Sequence, residues 1–119
     1  MFIAAANMFL IFIFLILCNA ITGQETSKVS APLPDNINKI VSVSCMPCHS
    51  SNGGMLSRSK LNFSEWTGYS PDKQKKKAGQ MYKELQKDAM PPEEAREANP
   101  DIIPTKEQIE MIKSWADSL

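Results

Sequence analysis

The chain has 119 residues with 13 basic and 13 acidic side chains, so it carries no formal net charge at pH 7. This balance excludes a bulk electrostatic case for nucleic-acid binding, and any charge-guided partner must recognise a local patch. The length allows one small domain, and a core of this size often needs a covalent or metal staple.

An apolar segment opens the chain. Apolar residues run almost unbroken from Phe2 to Leu17, and no charged side chain precedes Glu25. The pattern is typical of a secretory signal and is short for a membrane span, which needs about 20 apolar residues. We therefore expect residues 1–23 to be a cleaved signal peptide and the protein to be exported to the periplasm. Lipid attachment at Cys18 or an uncleaved signal would instead tether it to the membrane.

A polar segment and a first helix follow. Residues 24–34 contain two prolines and are predicted to be a flexible leader, so the domain is expected at residues 35–119. Asp35 is a candidate N-cap for a helix that ends near Cys45, because Pro47 disfavours helical geometry in the residue before it. The apolar face of this helix consists of Ile37, Ile40 and Val41, and a strand is the alternative because the segment is rich in β-branched residues.

An aromatic-rich stretch comes after a predicted loop at residues 50–54, and is expected to be irregular or a single helical turn. Its large side chains form either a cofactor wall or an ordinary core. They are Leu61, Phe63, Trp66 and Tyr69.

Two amphipathic helices are predicted in the second half of the chain. Ser70 as N-cap and Pro71 at the first helical position begin one helix, which must end at the prolines of residues 90–92. Thr105 begins the other, and a glutamine three residues later completes a capping box. Residues 93–104 between them are predicted to be a loop. The buried faces consist of Ala78, Met81, Tyr82, Leu85 and Ala89 on the first helix, and Ile109, Ile112, Trp115, Ala116 and Leu119 on the second.

No strand alternation or internal repeat is found, so the expected fold class is all-α, with about three to four helices and long loops.

The sequence CMPCH at residues 45–49 is the strongest chemical signal. Two cysteines at this spacing serve a zinc site, a redox disulfide or a covalently attached haem. A structural zinc site needs four protein ligands, and these two cysteines with the single histidine leave it one short. A thioredoxin-like pair would lie at a helix start in a βαβ framework, which is not predicted here.

A c-type haem needs two cysteines for thioether bonds and a following histidine for the iron, and Cys45, Cys48 and His49 supply all three in order. We therefore expect one covalently attached haem c. His49 should bind iron through Nε2, with its Nδ1–H held by a backbone carbonyl or water. An ordinary surface or core histidine is the alternative.

The sixth position of the iron has a leading candidate in a methionine thioether, because the chain has no second histidine. Met90 precedes two prolines whose fixed φ angles can hold a loop against the iron. Met81 and Met111 lie in predicted helices, where core packing is the usual role of methionine. Met55 is the second candidate, and an open or water-bound site is the alternative.

These residues resemble those of c-type cytochromes, and more narrowly of the small monohaem haem-binding domain family. The resemblance spans residues 35–119 and is carried by CMPCHS, LNFSEW and DAMPP. It implies a small cytochrome c-like domain around one haem, with Cys45 and Cys48 as attachment sites, His49 as the proximal ligand and Met90 as the distal ligand. Residues expected in the haem pocket are Phe63, Trp66, Tyr82 and Trp115.

An iron with both axial positions filled has no open site for a substrate, so we expect an electron carrier or redox module rather than an enzyme, with no catalytic residues. Its partners would be redox proteins of the cell envelope. A haem sensor or small peroxidase-like protein with an open or labile sixth site is the alternative, and a haem-stapled interaction module is a third. A charge run that is either a docking site for an acidic partner or a solvated helix face consists of Lys73, Lys75, Lys76 and Lys77.

Overall fold

The computed structural model describes residues 29–119. The predicted signal peptide, Cys18 and the first part of the predicted leader lie outside the described residues. Within this range the regular structure is helical throughout, which confirms the all-α fold class. In chain order the elements are α1 (Asp35–Ser44), α2 (Met55–Lys60), a first 3-10 helix (Phe63–Gly68), α3 (Pro71–Gln86), α4 (Glu93–Ala98), a second 3-10 helix (Pro100–Ile102) and α5 (Lys106–Ser118).

Helix length and composition bear on membrane contact. In residues 29–119, no helix is both long enough and apolar enough to cross a membrane.

Helix α1 has the apolar face that the sequence predicts. Its predicted N-cap is wrong, because Pro34 occupies the capping position and Asp35 is the first helical residue. The carboxylate of Asp35 then lies in the first turn, where the helix dipole favours negative charge. The helix ends at Ser44, so Cys45 lies at its C-terminal end as predicted. The buried side chains of α1 are Ile37, Ile40 and Val41.

Helix α3 begins as predicted. The Ser70 hydroxyl accepts a hydrogen bond from the backbone N–H of Lys73 at 3.3 Å, and Pro71 lies in the first turn. The helix ends at Gln86, short of the prolines, because Asp88 adopts a left-handed conformation with a φ of 54°. A residue with positive φ cannot continue a right-handed helix.

The core lies between α1, α3 and α5. Helix α5 packs against both α3 and α1, and its predicted capping box at Thr105 is present. Ala89 is the exception among the predicted core residues, since it is exposed beyond the end of α3. The remaining residues of the two predicted faces are buried or packed on the core: Ala78, Met81, Tyr82, Leu85, Ile109, Ile112, Trp115, Ala116 and Leu119.

The loop predicted for residues 93–104 is wrong, because α4 and the second 3-10 helix occupy most of it. Pro92 stands at the N-cap of α4, and two glutamates occupy its first turn, where the helix dipole favours them. The Asn99 side chain accepts a hydrogen bond from the Asp101 N–H at 3.3 Å and begins the 3-10 helix. Helix α4 buries none of its residues, so it has no apolar period for a sequence pattern to reveal.

The segment before α1 is hydrogen-bonded to the domain, although the sequence assigns it to the leader. The Ser30 hydroxyl donates to the Tyr69 carbonyl at 2.6 Å. The Ala31 N–H donates to Gln74 Oε1 at 3.0 Å, and the Ala31 carbonyl accepts from Gln74 Nε2 at 2.9 Å and from Trp66 Nε1 at 3.1 Å. Gln74 is only 1% exposed and also donates to the Trp66 carbonyl. This glutamine therefore joins three segments that are distant in sequence.

Candidate functional site

The two thiols of the CMPCH motif lie just beyond α1. Cys45 is half-buried and its N–H donates to the Val41 carbonyl at 2.9 Å, as the last turn of the helix. Cys48 is exposed, and its N–H donates to the Cys45 carbonyl at 3.2 Å. Both cysteines are free thiols. Burial, with a smaller contribution from Cys48, raises the pKa of the Cys45 thiol to about 12, so this thiol is neutral at physiological pH.

His49 is held at both its backbone and its ring. Its N–H donates to the Cys45 carbonyl at 2.8 Å, and its carbonyl accepts from the Phe63 N–H at 2.8 Å. Nδ1 lies 3.0 Å from the Ser57 carbonyl oxygen and 3.1 Å from the Leu61 carbonyl oxygen. Because carbonyl oxygens only accept, Nδ1 must carry the proton, which leaves a lone pair on Nε2 in the neutral ring. The predicted hydrogen bond from His49 Nδ1–H to a backbone carbonyl is thus present.

Helix α2 supplies this arrangement. Ser57 is in the helix and Leu61 caps its C-terminal end, so both carbonyls come from one short element. The sequence predicts no helix or strand at residues 55–60, which are almost entirely exposed. A six-residue helix without a buried face has no periodic signal.

Gly53 fixes the loop that joins the motif to α2. A Cβ built at this position would meet the Cys48 backbone, at 2.5 Å from the carbonyl carbon and closer still to the oxygen. The Gly53 N–H donates to the Ser50 carbonyl at 2.9 Å. The loop therefore lies directly against the backbone of the second cysteine, and only glycine leaves enough room.

Met90 comes from a different part of the chain, between α3 and α4. Its side chain is 39% exposed and the following Pro91 is buried. Met55 is 79% exposed on α2. Met46, inside the motif, accepts a hydrogen bond from the Ser42 hydroxyl at 3.7 Å through its sulfur. Met90 is thus an accessible thioether that follows the left-handed turn at the end of α3.

Three of the predicted pocket aromatics, Phe63, Trp66 and Trp115, form a cluster with Tyr69 around Trp66, which is 3% exposed. The ring centroid of Trp66 lies 5.4 Å from that of Trp115 and 6.0 Å from those of Phe63 and Tyr69. Tyr82 is half-buried beside the core. Three of the four predicted pocket residues, Phe63, Trp66 and Trp115, are therefore core residues in this structure, and Tyr82 lies at the edge of the core.

A groove of about 750 Å³ lies between the start of α1 and the outer face of α5. Trp115 is the one predicted site residue that lines it, together with Ile37 and Met111. The CMPCH motif and Met90 do not line this groove. We take the motif as the candidate site, because it brings two thiols and an imidazole together, whereas the residues that line the groove include no cysteine or histidine.

Charges are unevenly distributed over the domain. Lys77 Nζ donates to the Lys60 carbonyl, which joins the end of α2 to the start of α3. Lys73 Nζ lies 3.9 Å from the centroid of the Tyr69 ring. Acidic side chains are concentrated on α4 and at the start of α5. We call the cations on α2 and the first part of α3 the basic surface, and it consists of Arg58, Lys60, Lys73, Lys75, Lys76 and Lys77.

The donor set of the motif suits a metal-bearing cofactor better than a bare ion. Within residues 29–119, no group of three or more His, Cys, Asp or Glu side chains is arranged to hold a metal ion. Cys45, Cys48 and His49 instead offer two free thiols and one imidazole with a free Nε2, which fits covalent attachment of a macrocycle whose iron needs one nitrogen ligand.

Comparison with known proteins gives one family. A family model described as haem-binding domain matches residues 55–118, which is more than half of the chain. The matched segment contains the aromatic cluster and Met90, and it begins after the CMPCH motif. No curated protein and no solved structure matches the chain.

Proposed function

The chain belongs to the haem-binding domain family, and from this membership we propose that it is an exported monohaem c-type cytochrome that acts as an electron carrier or redox module. The haem would be attached through thioethers to Cys45 and Cys48. When bound with two axial protein ligands, such a haem supplies one-electron exchange between ferric and ferrous iron. Residues of the chain would bind the haem, ligate its iron and recognise the redox partner.

The orientation of His49 is the observation that carries the proposal. Two backbone carbonyls, from Ser57 and Leu61, accept from Nδ1 and so leave Nε2 available for iron. Hydrogen bonds to Nδ1–H fix the ring and raise the basicity of the ligating nitrogen. A histidine that served only packing would not need both carbonyls directed at the same ring nitrogen.

Met90 is proposed as the distal ligand. Its thioether is accessible, at 39% exposure, and its backbone is held between the left-handed Asp88 and the buried Pro91. Of the remaining methionines in the described range, Met46 is hydrogen-bonded inside the motif and Met81 packs on the core. A soft thioether suits an electron-transfer iron because it raises the reduction potential.

The basic surface is proposed to dock an acidic redox partner of the cell envelope. Helix α2 carries Arg58 and Lys60, and the same helix provides a carbonyl to His49. Positive charge therefore lies next to the proximal ligand, where it would steer an acidic partner towards the haem. The apolar segment at the start of the chain supports export to the periplasm, either free or tethered to the membrane.

The first experiment is a visible spectrum of the protein exported with a cytochrome c maturation system, oxidised and reduced. We expect haem to remain on the protein after denaturation, and a sulfur-to-iron charge-transfer band at the red end of the ferric spectrum. Met90→Ala should lose this band. Met111→Ala is the matched control, because Met111 has nearly the same exposure, 40%, on a different face.

Three outcomes would change the assignment. If the band survives in Met90→Ala but disappears in Met55→Ala, the distal ligand is Met55 and electron transfer stands. A high-spin wild-type spectrum that binds carbon monoxide readily would indicate an open iron, and a sensor or peroxidase-like function would replace electron transfer. Haem that is extracted by denaturation would refute the thioether bonds of Cys45 and Cys48.

The docking proposal has its own test. Oxidation of the reduced protein by anionic ferricyanide should slow several-fold in the double variant Lys60→Gln with Lys76→Gln, and the dependence of its rate on salt should weaken. The control double variant, Lys39→Gln with Lys106→Gln, makes the same charge change at exposed positions on α1 and α5. Equal rates in the two double variants would indicate that the lysines of the basic surface are only a solvated helix face.

A further inference from the structure

Arg96 on α4 is a cation without a partner. The residue is half-buried, and its Nε is enclosed with no hydrogen bond to any described residue. The ion pairs found in residues 29–119 join Lys87 to Glu84 and Lys113 to Asp117, and neither involves Arg96. An enclosed donor on a charged group without an acceptor is costly, so such a group calls for a physical explanation.

The immediate surroundings make the missing partner more informative. Glu93 lies one helical turn before Arg96, a spacing at which opposite charges usually pair. Glu97 follows directly, and neither carboxylate is paired with the guanidinium. Arg58, the other arginine of the chain, is exposed and donates to the Ser51 carbonyl at 3.5 Å. The Nε donor of Arg96 is therefore enclosed, and neither of these carboxylates forms an ion pair with the guanidinium.

The position of α4 relates Arg96 to the proposed site. Helix α4 follows Met90 after only two prolines. The second 3-10 helix packs against both α4 and α1, and α1 ends where Cys45 begins the motif. Helix α4 is thus joined to Met90 along the chain, and the second 3-10 helix connects it to the helix that presents the thiols.

We propose that Arg96 binds a propionate carboxylate of the haem. The inference rests on the proposed function, because it takes the haem to lie between the motif and Met90. A guanidinium presents several N–H groups in a fixed planar fork that matches a carboxylate, and pairing would supply the acceptor that Nε lacks. Arg96 is a binding residue for the cofactor and has no part in the redox step.

The test measures the titration midpoint of each haem propionate. Holoprotein is produced with haem labelled with ¹³C at its propionate carboxyl carbons, and their signals are titrated by NMR. A neighbouring cation lowers a carboxyl pKa, so Arg96→Gln should move the titration midpoint of one propionate upward by about one pH unit or more. Arg96→Lys should give an intermediate midpoint, because lysine keeps the charge and loses the fork.

A control separates local pairing from general electrostatics. Lys87→Gln removes an exposed cation three residues before Met90, and it should leave both propionate midpoints within about 0.2 pH unit of the wild type. The titratable groups on α4, on the second 3-10 helix and on α1 are present in every variant, so their effects cancel in the comparison. They are Glu93, Glu94 and Glu97 on α4, Asp101 on the second 3-10 helix, and Asp35 and Lys39 on α1.

The outcomes distinguish the two proposals. Propionate titrations that superimpose in wild type and Arg96→Gln, with haem and the charge-transfer band retained, overturn the role of Arg96 and leave the proposed function intact. A wild-type protein that holds no haem overturns both. If Arg96→Gln does not accumulate as holoprotein, the Arg96→Lys titration decides: a displaced midpoint supports the pairing, and a superimposed curve overturns it.

Discussion

Substituting Gly53 by alanine should damage the CMPCH motif although Gly53 is not one of the proposed ligands. The added Cβ would lie 2.5 Å from the Cys48 carbonyl carbon and 3.0 Å from its Cα. Carbon atoms prefer separations of about 3.5–4.0 Å, so the overlap is ~1 Å. The obstructing atoms belong to the backbone and cannot rotate aside, so the cost is about 3 kcal/mol, the upper end of typical overpacking. For a domain of this size that lowers Tm by roughly 12–24 °C.

Gly54→Ala is the matched control for this prediction. A Cβ at Gly54 meets nothing within 4 Å, and the residue caps α2, where alanine costs only about 1 kcal/mol or less. Thermal unfolding by circular dichroism and a haem stain of the denatured protein would be compared for both variants. We expect Gly53→Ala to lose both stability and haem yield, because relief of the clash must displace Cys48. Wild-type Tm and haem yield in Gly53→Ala would refute the packing argument.

Three further predictions follow from buried or constrained groups. Gln74→Leu removes the three hydrogen bonds of a buried side chain and should cost about 2–3 kcal/mol in urea unfolding, while Gln80→Leu at an exposed position of α3 should change little. Equal costs would refute the role of Gln74. Asp88→Gly should stabilise the protein by about 0.5–1 kcal/mol, because glycine adopts the left-handed backbone without strain. Lys87→Gly is the control and should destabilise the protein, since φ is −87° at that position. A destabilised Asp88→Gly variant would contradict the strain at Asp88. In the reduced, haem-free protein the raised pKa of Cys45 means that the folded state keeps its proton longer than the unfolded state, so stability should fall as pH rises from the ordinary 9.0 towards 12. Cys45→Ala should lose part of this decline and Cys48→Ala should retain it.

The parts of the fold that the sequence predicts are those with local signals. The caps at Ser70 and Thr105 and the apolar faces of α1, α3 and α5 depend on residues within a few positions of one another. The helix boundary at the CMPCH motif follows from one proline. The errors lie where short helices bury no face, as in α4, or where a left-handed residue ends a helix before the prolines do, as at Asp88.

Long-range contacts are not predicted, because they have no local signal in the sequence. Gln74 reaches Ala31 across 43 positions, and a glutamine among lysines in a helix gives no sign that it is buried. The enclosed Nε of Arg96 is likewise a property of the assembled structure. The sequence predicts that the aromatic residues form either a cofactor wall or a core, without deciding between the two. The structure places Phe63 and Trp66 in the core.

The family match covers only one of the two segments that form the candidate site. The match begins at Met55, the first residue of α2, so it includes the Ser57 and Leu61 carbonyls and excludes His49. The segment before the match supplies the thiols and the imidazole, and the matched segment supplies the acceptors that orient this imidazole. Without these carbonyls the His49 ring would lose the hydrogen bonds that fix its orientation. The proximal side of the proposed haem site therefore depends on both segments, and a variant that shifts α2 should alter iron ligation as surely as one that changes the motif.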